Sequence, residues 1–354
     1  MRRISSTSIL LVFILSSTFF TNRIIGEIIL KELRRGSLLL LIIANLLVPF
    51  IMFILKPIYE KTRRKQLNHM TIVDKSTPFY LIIRTLASIY LIFSLVITIY
   101  FSTNKLNAYF FSELPLVLYF LILLILTIYA IIKGRNSLIH ISSITIFIVL
   151  TFYLFYLFNP TSIDYSNLNK LKIVTNNNLI LLLIFIIPIF LEPFIFILYC
   201  DDADTPYKKR YLFFLPFIAS ILSSYTLLRQ GWEFGVLLPF LNSPFIESSL
   251  YVRMGVYNEN IALITLFYYI GSYFLRILFT CSLFAKMWNI KGVFITALLI
   301  VISCLATYLF LLNVTVFNDI MMNLFFISIF VLLVYALLIT ILIIKGGGKD
   351  VKSV

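Results

Sequence analysis

Long apolar runs alternate with short polar segments along the whole chain. At about 20 residues for each crossing of a bilayer, this pattern predicts ten transmembrane helices. The runs are continuously apolar and show no ten-residue alternation, which excludes a transmembrane β-barrel. We therefore predict an all-α integral membrane protein in which residues 1–354 form one polytopic membrane domain. The predicted helices cover residues 5–25, 37–56, 78–100, 114–132, 137–158, 178–200, 211–228, 261–285, 293–313 and 320–344.

Composition supports this class of protein. Of the 354 residues, 61% are hydrophobic and only 12% are charged, and the mean hydropathy is +1.03. A soluble core of this length could not bury so much apolar side chain. The N-terminal Met1-Arg2-Arg3 precedes an apolar run without a small-residue cleavage site, so we expect an uncleaved first helix and not a signal peptide.

The distribution of Lys and Arg predicts the orientation. If the N-terminus is inside, basic residues are twice as frequent in the cytoplasmic segments as in the outer ones, which places both termini in the cytoplasm. Attraction to anionic lipid then accounts for the net charge of +14, and we expect no nucleic-acid partner. Only Arg84 and Arg276 are placed within helices. The basic residues assigned to outer segments are Arg23, Lys31, Arg34, Arg35, Lys105, Lys170, Lys172, Arg229 and Arg253.

The sixth apolar run contains a carboxylate between two helix breakers, in the stretch Pro188-Ile-Phe-Leu-Glu192-Pro193. A carboxylate costs about 2.5 kcal/mol or more at a bilayer centre. Each proline also removes one helix hydrogen bond, and non-helical backbone at this depth needs a protected polar cavity. We therefore predict that Pro188 and Pro193 break the sixth helix beside a ligand site that includes Glu192.

Arg276 is the predicted partner of Glu192. At 1.5 Å per residue, Glu192 lies about 21 Å into the sixth helix and Arg276 about 22 Å into the eighth, both counted from the outer side. The two side chains are thus level, and they could pair with each other or hold a zwitterionic solute between them. Alternatively, Arg276 extends to the inner headgroups and Glu192 is protonated.

The third helix offers further candidates. Arg84 lies about 9 Å from the cytoplasmic start of this helix, so we expect its side chain to extend to the interface. Tyr90 and Ser94 follow at helical spacing and could line the cavity opposite the eighth helix.

Residue types that carry other chemistry are sparse. Cys200, Cys281 and Cys304 lie in or beside apolar helices without C-x-x-C spacing, so we expect buried thiols and no disulfide. His69 and His140 are far apart in sequence, and we expect no metal site. The chain has no nucleophile elbow, Walker loop, dinucleotide fingerprint or H-E-x-x-H motif. We expect no enzyme activity and no cofactor.

The longest polar segment covers residues 229–260 between the seventh and eighth helices. Its apolar centre, Phe234 to Phe240, is too short to cross a bilayer. The segment is therefore either a re-entrant lid helix or a surface helix in the membrane interface.

Several segments, collinear through nearly the whole chain, resemble the endospore germination permeases. This family comprises the B subunits of nutrient germinant receptors and belongs to the amino acid–polyamine–organocation superfamily. The segments are Ile4-Ser5-Ser6, TIVDKS at 71–76, TIYAIIKGRNSLIHIS at 127–142, DYSNLNKL at 164–171, GVLLPF at 235–240 and NENIALITLFYYIGSYFLRI at 258–277.

The resemblance implies two five-helix inverted repeats, with the first and sixth helices broken around a substrate site. The sixth helix fits this expectation through its prolines. The first helix has no glycine before Gly26 and shows Ser16, Ser17 and Thr18 where the break is expected. These hydroxyls could contact a ligand or could serve ordinary helix packing.

Two functions follow from the resemblance. The chain could be a germinant-receptor subunit of the spore inner membrane that binds a small nutrient such as an amino acid, together with a larger membrane subunit and a lipoprotein. It could instead be a secondary transporter of a similar solute. The absence of glycine in the first helix favours sensing, because alternating access generally uses both broken helices. A scaffold without a ligand is a third possibility.

Overall fold

The computed structural model describes residues 5–33, 37–64, 78–110, 115–133, 135–158, 176–203, 205–241, 243–250, 253–254, 259–260, 262–288, 292–312 and 314–345. His69 and the segments at 71–76 and 164–171 lie outside these residues. Within the described part of the chain, the fold is almost entirely helical.

The helices follow the apolar runs of the sequence in order. The α-helices are α1 (Ser6–Phe19), α2 (Gly26–Leu33), α3 (Ser37–Ile54), α4 (Lys56–Arg64), α5 (Pro78–Tyr109), α6 (Leu116–Ile132), α7 (Arg135–Phe158), α8 (Asn176–Ile195), α9 (Lys209–Phe234), α10 (Pro244–Leu250), α11 (Ala262–Trp288), α12 (Gly292–Leu312) and α13 (Val314–Lys345). A π-helical turn (Phe20–Ile25) joins α1 to α2, and 3₁₀ segments follow α8 (Phe196–Asp202) and α9 (Gly235–Phe240). Two short strands, β1 (Arg253–Met254) and β2 (Glu259–Asn260), pair antiparallel before α11.

Each predicted apolar run coincides with a helix. Five of the described helical spans are long and apolar enough to cross a bilayer, as expected of an all-helical membrane protein. The other apolar runs form shorter helices, and their crossing of the membrane stays a prediction. Large apolar side chains such as Ile125, Phe147 and Phe330 are more than 60% exposed in mid-helix. A water-soluble monomer rarely exposes such a surface, whereas lipid solvates it.

The interior combines two apolar clusters with many buried polar side chains. Helix α9 packs along α3, and α11 packs against α1, α5 and α7. One apolar cluster surrounds Phe13, Phe196 and Phe279, and a second surrounds Phe152 and Phe245. Many Ser and Thr side chains are buried among the helices, where most bond a carbonyl of the preceding turn. Such bonds satisfy the hydroxyl group without a partner from water.

Three helices continue beyond the ends that the sequence predicted. Helix α5 continues past residue 100 to Tyr109, and α9 continues past residue 228 to Phe234. The first helix continues through the π-helical turn into α2. As a result, Arg23, Lys105 and Arg229 are buried within helices and are not loop residues. Helix α9 ends at Gly235, whose φ of +45° disfavours residues with a side chain.

Pro188 and Pro193 do not break the sixth helix. Helix α8 runs through both prolines, and the backbone changes to 3₁₀ geometry only at Phe196. The Tyr59 hydroxyl donates a hydrogen bond of 3.0 Å to the carbonyl of Pro193, so this buried acceptor has a partner where the helix geometry changes. Burial raises the pKa of the Tyr59 phenol well above its ordinary value.

Removing this hydroxyl tests its role at the end of α8. We expect Tyr59→Phe to lower the free energy of unfolding by about 1 kcal/mol, because a buried carbonyl loses its donor. Tyr335→Phe is the matched control, since the buried Tyr335 hydroxyl has no hydrogen-bond partner among the residues described. The control should change stability by less than about 0.5 kcal/mol. Denaturant titration in detergent micelles measures both, and equal losses would contradict the assignment.

Candidate functional site

A buried ion pair joins the two charged residues that the sequence places at one depth. Glu192 on α8 and Arg276 on α11 are 0% and 1% exposed. The pair is bidentate: Nη2 of Arg276 lies 2.7 Å from Oε1 of Glu192, and Nη1 lies 3.1 Å from Oε2. The predicted contact is therefore present, and Arg276 does not extend to the headgroups.

Helix α5 completes the polar network around this pair. Ser94 accepts hydrogen bonds of 3.1 Å from Nε and 2.7 Å from Nη2 of Arg276, and the Tyr90 hydroxyl donates to Oε1 of Glu192. Both residues are buried. Tyr90 and Ser94 are one helical turn apart, so both point toward the pair. The structure thus brings together four of the predicted site residues, which we call the central site: Tyr90, Ser94, Glu192 and Arg276.

The π-helical turn contacts the central site from the first helix. The ring centroid of Phe20 lies 4.1 Å from Cζ of Arg276, which places the guanidinium over the aromatic face. π-Helical turns inside helices are frequent at functional sites. The first helix therefore departs from α geometry beside Arg276, although its sequence there has no glycine.

Ser16, Ser17 and Thr18 lie just before this turn and make no described contact with the ion pair. Ser16 donates to the carbonyl of Phe13, and the carbonyls of Ser17 and Thr18 accept bonds from Thr21 and from the Asn22 amide. These bonds are the local contacts of an ordinary helix interior. A role for the three hydroxyls in ligand binding stays a prediction.

Arg84 lies apart from the central site. Its Cζ lies 3.7 Å from the ring centroid of Trp288, whose indole N–H donates to Ser88. The side chain is therefore stacked on an aromatic ring near the ends of α5 and α11, and its extension to the membrane interface stays a prediction.

A second polar cluster, which sequence reasoning missed, surrounds the short helix α10. Lys105 pairs with Glu27, and both bond Ser243 at 3.0 and 3.1 Å. Tyr109 donates to Glu247 at 2.6 Å. The apolar pattern predicted ends for these helices that lie too early in the chain. It therefore did not show that their polar ends stay helical and reach this cluster.

The other side of α10 is held in the same way. Glu233 pairs with Arg229 at 2.7 Å and accepts a hydrogen bond from Ser248, which in turn bonds the Tyr156 hydroxyl at 2.5 Å. Ser243, Phe245, Ile246, Ser248 and Ser249 are at most 1% exposed. Helix α10 is thus a buried plug tied to α2, α5, α7 and α9. The predicted apolar centre of this segment forms the separate 3₁₀ segment Gly235–Phe240, in which Leu237 and Phe240 are exposed, so the choice between a lid and a surface helix stays a prediction.

The arrangement of the central site suits recognition of opposite charges and not metal binding. Across the described residues, no three His, Cys, Asp or Glu side chains lie close enough to hold a metal ion. Cys200, Cys281 and Cys304 are buried, as predicted. A carboxylate and a guanidinium in a low-dielectric interior can exchange each other for the ammonium and the carboxylate of a zwitterion.

No family model and no curated protein matches this chain. The family resemblance therefore stays a prediction.

The role of the bidentate guanidinium contact can be tested without removing the charge of Arg276. We expect Arg276→Lys to lower the free energy of unfolding by about 2 kcal/mol, because an ammonium cannot bond both Glu192 oxygens and Ser94 together. Arg84→Lys is the control, since Arg84 is only partly buried, and should cost less than about 1 kcal/mol. Unfolding in detergent micelles measures both. Equal stability of Arg276→Lys and the unaltered protein would contradict a structural bidentate pair.

Proposed function

We propose that this protein is a membrane subunit of a spore nutrient-germinant receptor that binds a small zwitterionic nutrient of the amino-acid class. The observation that carries the proposal is the fully buried Glu192–Arg276 pair where α5, α8, α11 and the π-helical turn meet. A buried pair costs desolvation energy that well-packed apolar residues would avoid, so its presence favours a functional reason. The collinear resemblance to the germination permeases supplies the biological class.

In this proposal the ligand exchanges partners with the ion pair. Its carboxylate bonds Arg276 and Ser94, and its ammonium bonds Glu192 and Tyr90. Each charged group then keeps a partner, so opening the pair does not leave a buried charge alone. The inserted ligand increases the separation of α8 and α11, because its ammonium and carboxylate then lie between the Glu192 oxygens and the Arg276 nitrogens.

The π-helical turn offers a physical link from the central site to the plug. Phe20 lies on Arg276, and three residues later Arg23 lies 3.3 Å from the ring centroid of Phe245 on α10. A shift of Arg276 therefore acts on a turn that also contacts α10. We propose that α10 serves as the lid over the ligand path and that its position differs between the empty and the bound receptor.

The wider architecture belongs to the same proposal. All ten apolar helices cross the membrane as a 5+5 inverted repeat, and both termini are cytoplasmic. The spore inner membrane is the location, and a larger membrane subunit and a lipoprotein are the partners. Burial of Arg23, Lys105 and Arg229 supports the orientation, because it removes three of the basic residues counted on the outer side.

A secondary transporter of the same superfamily is the second candidate. The π-helical turn in the first helix and the 3₁₀ segment after α8 favour it, because both helices that such transporters break depart from α geometry. Uptake distinguishes the two. Purified protein in liposomes should bind a labelled amino acid without accumulating it if it is a receptor, and accumulation above equilibrium would establish the transporter.

Germination of spores that carry Glu192→Gln tests the proposed site. We expect the amino-acid concentration for half-maximal germination to rise at least about tenfold, because the ligand ammonium loses a charged acceptor. Arg84→Gln is the control and should respond like the unaltered receptor. Immunoblots of the spore membranes must show equal amounts of the subunit. A normal response of Glu192→Gln to a panel of amino acids would contradict the site.

A further inference from the structure

A lateral groove of about 280 Å³ lies between α1, α7, α9 and α11, away from the ion pair of the central site. Its walls are mostly aliphatic and include Leu15, Leu150, Ile218 and Ala219. Leu150 and Ile218 are each 52% exposed in mid-helix, so the groove opens sideways onto the surface that lipid covers. Its volume is just below the about 300–1,000 Å³ of small-molecule pockets.

One end of the groove is polar. Thr18, Tyr153 and Tyr268 line it there, and each belongs to a different helix. Arg23 follows Thr18 by five residues, about 7.5 Å along the helix, and lies against the Tyr153 and Tyr268 side chains. The groove therefore leads from the lipid-facing surface toward a buried guanidinium.

Among the residues that the structure describes, no Asp or Glu forms an ion pair with Arg23. The side chain is 2% exposed, donates a hydrogen bond of 3.1 Å to Thr226, and stacks on Phe245. Arg23 belongs to none of the ion pairs Glu27–Lys105, Arg229–Glu233 and Glu192–Arg276. A buried charge without a counter-charge is costly. The site is thus electrostatically complementary to an anion.

We propose that this groove binds a fatty acid that enters from the lipid phase. Its acyl chain lies along the aliphatic walls, and its carboxylate bonds the Tyr153 and Tyr268 hydroxyls beside the Arg23 guanidinium. A carboxylate fits better than a phosphodiester, because a small head group is needed to approach a guanidinium that two tyrosines cover. Neither Glu192 nor Arg276 lines the groove, so fatty-acid binding there does not require the proposed amino-acid site.

Photolabelling of the full chain in nanodiscs tests the groove. A palmitic acid analogue with a diazirine in its chain should label peptides of α7 and α9 that line the groove, as mapped by mass spectrometry. Unlabelled palmitic acid should compete at least about tenfold more strongly than hexadecanol, which has the chain without the charge. In Arg23→Gln this preference for the acid should disappear, whereas Arg84→Gln should keep it.

A second variant keeps the test decisive if Arg23→Gln does not fold. Ala219→Phe fills the aliphatic wall and leaves Arg23 in place, so it should abolish labelling of the groove. Three results would overturn the proposal: undiminished labelling of Ala219→Phe, equal competition by hexadecanol, or label spread evenly over lipid-facing residues such as Phe294 and Leu298. Stronger competition by phosphatidylglycerol than by palmitic acid would overturn the assignment to a fatty acid.

Discussion

The bidentate contact between Glu192 and Arg276 is the interaction on which the arrangement of the helices depends. It joins α8 to α11 inside a bundle whose outer surface is apolar, and Tyr90 and Ser94 add α5 to the same network. In lipid, helices do not associate through the hydrophobic effect, so packing and internal polar contacts must hold them together. A charged pair that is completely buried also allows few alternative partners. It therefore specifies which faces of three helices meet.

In the second polar cluster, internal polar contacts likewise hold the plug α10 in place. Two further ion pairs, Glu27–Lys105 and Arg229–Glu233, lie on either side of α10 and bond its flanking or internal serines. The apolar residues of α10 then complete the core around Phe152 and Tyr268. Because the π-helical turn contacts both polar regions, the first helix is the element through which one region can affect the other.

Part of this structure could be predicted from the sequence. Apolar runs predicted the positions of ten helices but not of α2, α4 and α10. Equal depth predicted the Glu192–Arg276 contact, because helix rise is nearly constant. Helical spacing predicted Tyr90 and Ser94. The charged ends of the helices could not be predicted in this way. Arg23 and Lys105 bond Thr226 and Ser243, which are distant in sequence, and Arg229 bonds the distant carbonyl of Tyr156 as well as Glu233 four residues away. The bond from Tyr59 on α4 to the carbonyl of Pro193, near the end of α8, is a further contact that no local pattern reveals.

A double-mutant cycle on the central site tests most directly whether the buried pair holds the bundle together. The unfolding free energies of Glu192→Gln, Arg276→Met and the double variant are measured in detergent micelles against the unaltered protein. Each single variant leaves a buried polar or charged group unpaired, whereas the double variant removes the charge of both. The account predicts a coupling free energy of at least about 2 kcal/mol. Effects that add within about 0.5 kcal/mol would show that the two residues stabilise the protein independently, and would contradict it.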